Sequence, residues 1–295
     1  MTYDNLTVVI PTFSRDCSLR RAVASALSDN SSVGQVIVVD DNVDLDYLKR
    51  VEFPEDSRLK IIRNRFMQGP SGARNSGVSE ASYATILFLD DDDEIIPGYP
   101  GHILRLRNTH KDLVYGFSSY KTHSGLEVRK SLHSGYVRKI FPKARYRFGG
   151  LGMGFWMDKG TFFDVGCLDQ NMKSDEDTDL QVRLISRGYD GWFASEIGVS
   201  VDRSESPKIT NRNKKNARER YVVTLLKNMS IETQDKELFS FLLYRALKVV
   251  SQQYSFPDFK KFICEMGLAR VYTLMPLILV WRFNFLISQT RKHHF

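Results

Sequence analysis

Residues 85–94 read TILFLDDDDE, a run without charge that ends in four consecutive aspartates and a glutamate. An apolar run of this length, with no polar alternation, is the pattern of a strand covered on both faces, as in a parallel sheet between helical layers. Carboxylates at this density repel one another, so folding tolerates them only where they face bulk water or where a cation neutralises them. Two readings of the residues stay open: a solvated acidic turn, or a site for a hard divalent cation such as Mg²⁺ or Mn²⁺, which takes oxygen ligands and often bridges to phosphate. Placement directly after a buried strand favours the cation.

Working outward, residues 6–10 (LTVVI) form a second apolar run, ended by Pro11 and followed by a hydroxyl-rich turn. Leu19, Val23, Ala26 and Leu27 then recur at helical spacing, and a third run, 36–39 (VIVV), stops at Asp40-Asp41. This is a β-α-β unit. Residues 58–63 fit another strand and 72–82 a short helix before the run at 85–89. The alternation predicts an α/β fold with a mainly parallel sheet, whose ligands bind at the carboxyl ends of its strands, where both acidic clusters stand. Beyond Pro100 the pattern predicts a helix near 102–108, a strand near 113–120, a Gly-rich aromatic stretch at 148–156, and a helix over 178–186 stopped by Gly188. From about 211 onward the apolar periodicity is helical, carried by Tyr221, Leu225, Leu226, Phe239, Leu242, Leu243 and Leu247. The expected organisation is an α/β domain over 1–210, in halves of about 1–100 and 101–210, followed by a basic, amphipathic helical region over 211–295.

Composition bounds the function classes. The chain has 295 residues, 42% of them hydrophobic and 26% charged, which excludes wholesale disorder and a polytopic membrane protein. Three cysteines at unrelated spacings predict a reducing, cytoplasmic compartment and no structural zinc. The first residues, MTYDN, lack the basic start of a signal peptide. The net charge of +7 is unevenly spread: residues 208–295 hold sixteen Lys/Arg against six Asp/Glu, leaving the preceding 207 residues at −3. A basic tail beside an acidic domain that repels phosphate, with no recognised nucleic-acid module, argues against a nucleic-acid partner. The most apolar stretch, 271–288, is interrupted by Pro276, Arg282 and Asn284, whereas a membrane span needs about 20 nearly uninterrupted apolar residues. It reads better as an interfacial helix on an anionic membrane surface, with packing on the protein or against a second copy of the chain as the alternatives.

Other residues have both a structural and a chemical reading. Asp41 at a strand end suits base or ribose contacts, or an Asx-turn. Residues 68–75 (QGPSGARN) join a turn to Arg74, which suits either phosphate or a structural ion pair. Asp175, Glu176 and Asp177 precede a helix, where any of them would also serve as a cap. The segment 149–156 (GGLGMGFW) is no Gly-x-Gly-x-x-Gly fingerprint, and its small and aromatic residues suit plain core packing.

Taken together, Pro11-Thr12-Phe13-Ser14, the strand ending in Asp40-Asp41, the SGARN segment at 71–75, FLDDDD at 88–93, VGCLD at 165–169 and Glu176-Asp177 resemble the family 2 glycosyltransferases of the GT-A fold, in the same order and at similar intervals. The resemblance covers roughly residues 6–205. It implies an inverting transfer of a hexose or N-acetylhexosamine from a UDP-sugar to a glycan acceptor, with Mn²⁺ or Mg²⁺ at the aspartate cluster. Carried over residue by residue, Pro11, Thr12 and Phe13 enclose the nucleoside, Asp41 reads the uracil, and Arg74 lies near the base and diphosphate. Asp90 and Asp92 match the Asp-x-Asp acids, Asp92 as the direct metal ligand, with Asp91 near the ribose. Asp177 matches the catalytic base, and Glu176, Trp156 and Met153 fall on the acceptor side. A histidine that often completes the metal shell in the family has no counterpart after Asp177 before His293; Asp202 or Glu205 stands in its neighbourhood, or water and diphosphate fill the place. Many members act on lipid-linked acceptors, which implies a peripheral location on the inner face of the cytoplasmic membrane. A nucleotidyltransferase on a related fold, and a catalytically silent membrane-associated scaffold that binds nucleotide sugar, are the rival readings; sugar transfer alone requires the base at Asp177.

Overall fold

Leu6, Val8, Val9 and Ile10 have no exposed surface, and neither do Val36 to Val39 or Ile86 to Leu89, so the apolar runs are strands covered on both sides. The computed structural model describes residues 3–128, 133–137, 148–172, 174–202, 216–233 and 235–253, with Cys264 and Gly267. Contacts divide the chain into two compact units, one of residues 1–140 and 148–206, the other of 141–147 and 207–295.

The first unit is built on a ten-stranded sheet. Strands β1 (Leu6–Thr12), β2 (Val33–Asp40), β3 (Leu59–Arg63) and β4 (Thr85–Phe88) are parallel and lie in the order β3-β2-β1-β4. Beyond β4 the order runs through β9 (Trp156–Asp158), β6 (Tyr115–Thr122) and β10 (Trp192–Val201) to β5 (Glu94–Ile95). There β9 is antiparallel to both its neighbours, β6 and β10 are parallel, and β5 is antiparallel to β10. The short strands β7 (Glu127–Val128) and β8 (Gly135–Tyr136) flank β6 and β10. Helices α1 (Asp16–Leu27), α2 (Pro70–Glu80), α3 (Tyr99–Thr109), α4 (Lys159–Asp164) and α5 (Glu176–Ser186) complete the described part of this unit. The chain reverses its direction of winding at β1, so β1, β2 and β4 open a crevice at their carboxyl ends, the usual ligand position of such sheets.

Three local expectations are corrected. Pro11 does not end β1, which continues to Thr12 opposite Asp40. In a parallel strand alternate residues bond to opposite neighbours. Val9 accepts from Leu89 on the β4 side and Thr12 from Asp41 on the β2 side, so Pro11 faces β4, which stops at Phe88. The proline therefore deprives the ladder of no bond. The helix expected over 72–82 starts two residues earlier, at Pro70, so the turn read over 68–75 gives way to α2 after Gly69 at φ 132°. Every residue from Ser71 to Val78 is buried, and small side chains allow this: a Cβ on Gly77 would stand 2.3 Å from Val9 Cγ1. Helix α5 begins at Glu176 rather than Thr178, which puts Asp177 inside its first turn.

In the second unit α6 (Asn216–Lys227) and α7 (Lys236–Gln253) pack on each other, joined through a 3₁₀ turn at Met229–Thr233. Leu225, Ile231, Phe239, Leu242 and Leu243 form the buried seam, whereas Leu226 is exposed. The Arg245 guanidinium lies 4.2 Å over the Tyr221 ring. Among the described residues no helix is long and apolar enough to cross a membrane. The stretch 271–288 and Glu205 lie outside the described residues.

Candidate active site

The four aspartates after β4 do not act as one block. The Asp93 amide donates to the Asp90 carbonyl (3.1 Å), a tight turn that brings residues 90 and 93 together. Carboxylate oxygens of Asp90, Asp92 and Asp93 all lie within 4.8 Å of one another. Asp91 turns the other way into the fold. Its Oδ2 accepts from Thr12 Oγ1 (2.8 Å) and from the Phe13 amide (3.3 Å), which ties the end of β1 to the end of β4. Burial pushes the Asp91 carboxyl up to about 6, opposed chiefly by the Arg15 charge and the Thr12 bond.

Two arginines offset the cluster. Arg15, between β1 and α1, forms an ion pair with Asp92 and lies 3.5 Å from Asp91 Oδ1. Arg74, on α2 and only 6% exposed, places Nη2 2.6 Å from Asp90 Oδ1 and Nη1 3.3 Å from Glu176 Oε1. Burial alone would lower its pKa, yet Asp90 and Glu176 outweigh it and raise the value. Arg74 Nε and Ser71 Oγ, one helical turn apart, are buried with no hydrogen-bond partner among the described residues, a state that a bound polar ligand would relieve.

The Gly-rich segment closes one wall. A Cβ on Gly152 would come 2.1 Å from Asp90 Oδ2, and one on Gly149 2.5 Å from the Phe117 ring, so side chains are excluded there by contact. Gln181 of α5, 1% exposed, clasps this segment: its Oε1 accepts from the Gly149 amide (2.8 Å), and its Nε2 donates to Gly149 O (2.7 Å) and to Asp177 O (2.8 Å). On the same helix the half-buried Asp177 accepts from the Thr178 amide through Oδ1 (2.7 Å). Asp175 holds the N-cap position at φ 68° without a side-chain cap bond; its Oδ1 accepts from Thr178 Oγ1 (2.8 Å) instead. Asn75 clasps the backbone of Leu168 at both N–H and C=O, which fixes the 165–169 segment to α2.

The other expected residues fall as follows. Asp41 is half-buried, with Oδ1 accepting from Asn64 Nδ2 (2.6 Å) and Oδ2 from the Gly69 amide (2.8 Å); burial raises its carboxyl against those two bonds. Phe13 is 48% exposed, and Met153 is half-buried. Trp156 is corrected: at 1% exposure it lies in the sheet interior, paired with Leu87 and Gly116, so it offers no face to an acceptor. The Asp202 amide donates to Asp93 Oδ1 (2.9 Å), but its carboxylate stands 3.9 Å from Arg21 and from His123 and is not one of the three clustered groups. Asp93 belongs to the acidic run read as a cation site but has no ligand role of its own in that reading, although residues i and i+3 of a turn meet on one side; Arg15, Gln181 and His123 have no signal in the sequence.

Three carboxylates with oxygens at this spacing, and no sulfur or imidazole among them, fit Mg²⁺ or Mn²⁺.

A Glycosyl transferase family 2 model matches residues 7–170. A Campylobacter jejuni GalNAc(5)-diNAcBac-PP-undecaprenol beta-1,3-glucosyltransferase is 34% identical over 114 residues, covering 38% of this chain and 37% of that protein. An Escherichia coli UDP-Glc:alpha-D-GlcNAc-diphosphoundecaprenol beta-1,3-glucosyltransferase is 32% identical over 89 residues, covering 30% of this chain and 35% of that one. The matches thus span little more than a third of these relatives. An uncharacterised Haemophilus influenzae glycosyltransferase aligns more fully, at 22% identity over 87% of this chain and 90% of its own. In three dimensions the crystal structure of S. aureus TarS 1–349 with UDP-GlcNAc superposes with a TM-score of 0.63 at 14% identity, covering 93% of this chain and 81% of that one, which shows the GT-A fold. With the family model matching more than half of its length, over the strands and loops that build the crevice, the chain belongs to glycosyl transferase family 2.

Proposed function

We propose that the protein is a metal-dependent, inverting glycosyltransferase that moves a hexose or N-acetylhexosamine from a UDP-sugar to a lipid-linked glycan acceptor. The observation that carries this reading is the Arg74 bridge, which joins the acidic cluster at Asp90 to the helix that holds Asp177. Donor and acceptor chemistry need those two places side by side.

Asp90, Asp92 and Asp93 would hold the divalent ion. When bound, such an ion offsets the charge that develops on the leaving diphosphate. Asp177 accepts the proton of the acceptor hydroxyl as its oxygen bonds to the anomeric carbon; the bond from that carbon to the diphosphate breaks, and its electron pair leaves with UDP. One displacement on the face opposite the leaving group inverts the anomeric configuration. Asp41 and the loop of Pro11, Thr12 and Phe13 receive the uridine, with Asp91 holding that loop in place. Glu176 and Met153 stand on the acceptor side.

The names of the Campylobacter and Escherichia relatives favour an undecaprenyl-diphosphate acceptor, and the second favours UDP-glucose. An acceptor of that kind would draw the protein to the inner face of the cytoplasmic membrane, where the surplus of basic residues over 208–295 suits anionic lipid. A panel of nucleotide sugars with Mn²⁺, Mg²⁺ or EDTA, read by thermal stabilisation and slow donor hydrolysis, tests the donor half without an acceptor. Metal-dependent stabilisation by UDP and hydrolysis of one UDP-sugar are expected; no response to any of them would refute the reading.

A further inference from the structure

We infer that Arg15 is the resident counter-cation of the acidic cluster, which holds Asp92 while no divalent ion is bound, gives it up when the ion loads, and then serves the donor diphosphate. The inference rests on the proposed function and adds a residue that the motif resemblance does not assign.

Arg15 reaches Asp92 directly, and Asp92 is one of the three carboxylates that converge. A guanidinium and a divalent ion therefore draw on the same carboxylate. A double and a single positive charge held on one carboxylate repel each other, which weakens the hold on whichever is less firmly fixed. The two arginines of the site differ in which can yield. Arg74 is 7% exposed at its side chain and anchored at both ends, by Asp90 and Glu176. Arg15 keeps 27% exposure, springs from the loop between β1 and α1, and follows Ser14, whose backbone is left-handed at φ 56°. It is the cation with room to move.

Where Arg15 goes follows from its chemistry. Once the ion has neutralised Asp92, and with it Asp90, the anion left beside Arg15 is Asp91, whose Oδ1 stands 3.5 Å away while Thr12 and the Phe13 amide bond its other oxygen. A diphosphate that arrives at the ion brings fresh negative charge, and the planar guanidinium fork matches phosphate oxygens in pairs. In the empty protein the same side chain screens carboxylates that would otherwise repel one another. Arg15 would thus oppose the ion when it binds alone and assist the nucleotide that follows it.

The test measures Mn²⁺ binding without nucleotide, by the paramagnetic resonance of free Mn²⁺, and UDP binding by calorimetry at saturating Mn²⁺. Wild type, Arg15→Gln and Arg15→Lys are compared as full chains, each checked by thermal melting. Arg15→Gln should bind Mn²⁺ roughly tenfold tighter and UDP roughly tenfold weaker, a size usual for coupled ligands. Arg15→Lys keeps the charge but not the fork, so Mn²⁺ affinity should stay near wild type while UDP binding weakens; this variant carries the test if Arg15→Gln does not fold. Unchanged or weaker Mn²⁺ binding in Arg15→Gln would overturn the competition, and unchanged UDP binding in both variants would overturn the transfer to diphosphate. A wild type that binds neither Mn²⁺ nor UDP would instead strike down the proposed function, before any variant is compared.

Discussion

The Arg74 guanidinium joins Asp90 to Glu176, with Nη2 2.6 Å from Asp90 Oδ1 and Nη1 3.3 Å from Glu176 Oε1. One side chain on α2 thereby sets the spacing between the turn after β4 and the first turn of α5, two elements 86 residues apart in sequence (Asp90 and Glu176). Arg74→Ala leaves both acids facing an uncompensated neighbour in a largely dry place. A loss of about 2 kcal/mol in stability is expected, below that of a fully buried pair because Asp90 keeps contact with water. Transfer should fall at least about a hundredfold as the two halves of the site lose their spacing. Denaturant melts and steady-state rates check both; a stable variant with full activity would show that the bridge positions nothing.

Gly152 makes a sharper steric prediction. The methyl of Gly152→Ala would meet the Asp90 carboxylate at 2.1 Å, so Asp90 must shift or the loop must lift. Metal-dependent UDP binding should weaken roughly tenfold or more, with the rest of the fold intact. Gly150→Ala is the matched control, since the atoms nearest its Cβ belong to the flexible Met153 side chain, at 3.4 Å and beyond. Calorimetry on the two variants should separate them.

Asp91 predicts a pH signature in EDTA, where no divalent ion shares the cluster. Burial raises its carboxyl to about 6, above the ordinary value of about 4 in an unfolded chain. A raised acid stabilises the folded state fully below the unfolded value and loses that contribution as pH rises through about 6. Asp91→Asn, which can still accept from Thr12, should therefore gain on wild type across pH 4 to 6, by on the order of 2 kcal/mol at pH 7.5. Denaturant titrations over that range decide it; a constant offset between the two proteins would contradict the assignment.

How much of this was legible in the sequence depends on the range of the physics involved. The strands β1, β2 and β4 announce themselves because burial on both faces demands unbroken apolar runs. Helix α2 is readable over 72–82, but its true start at Pro70 is not, because SGARNSGV packs through small residues and carries no apolar stripe to mark where turn gives way to helix. Pro11 misleads for a related reason: whether a proline harms a strand depends on where the neighbouring strand stops, which lies 77 residues away at Phe88. Trp156 shares a segment with four glycines that face contacts, yet β9 carries it between β4 and β6. The motif acids were readable because chemistry fixes their type and spacing. Arg15 and Gln181 were not, because an ion pair or an amide clasp across the fold leaves no local pattern.

The measurement that tests the central claim most directly is single-turnover transfer by Asp177→Asn, with Mn²⁺, UDP-glucose and a synthetic polyprenyl-diphosphate N-acetylhexosamine acceptor, beside UDP binding to the same variant. Loss of the base with the donor site intact predicts wild-type UDP affinity and a transfer rate down by about 10² to 10⁴. Transfer at the wild-type rate would contradict the account, because a group other than Asp177 would then be taking the acceptor proton.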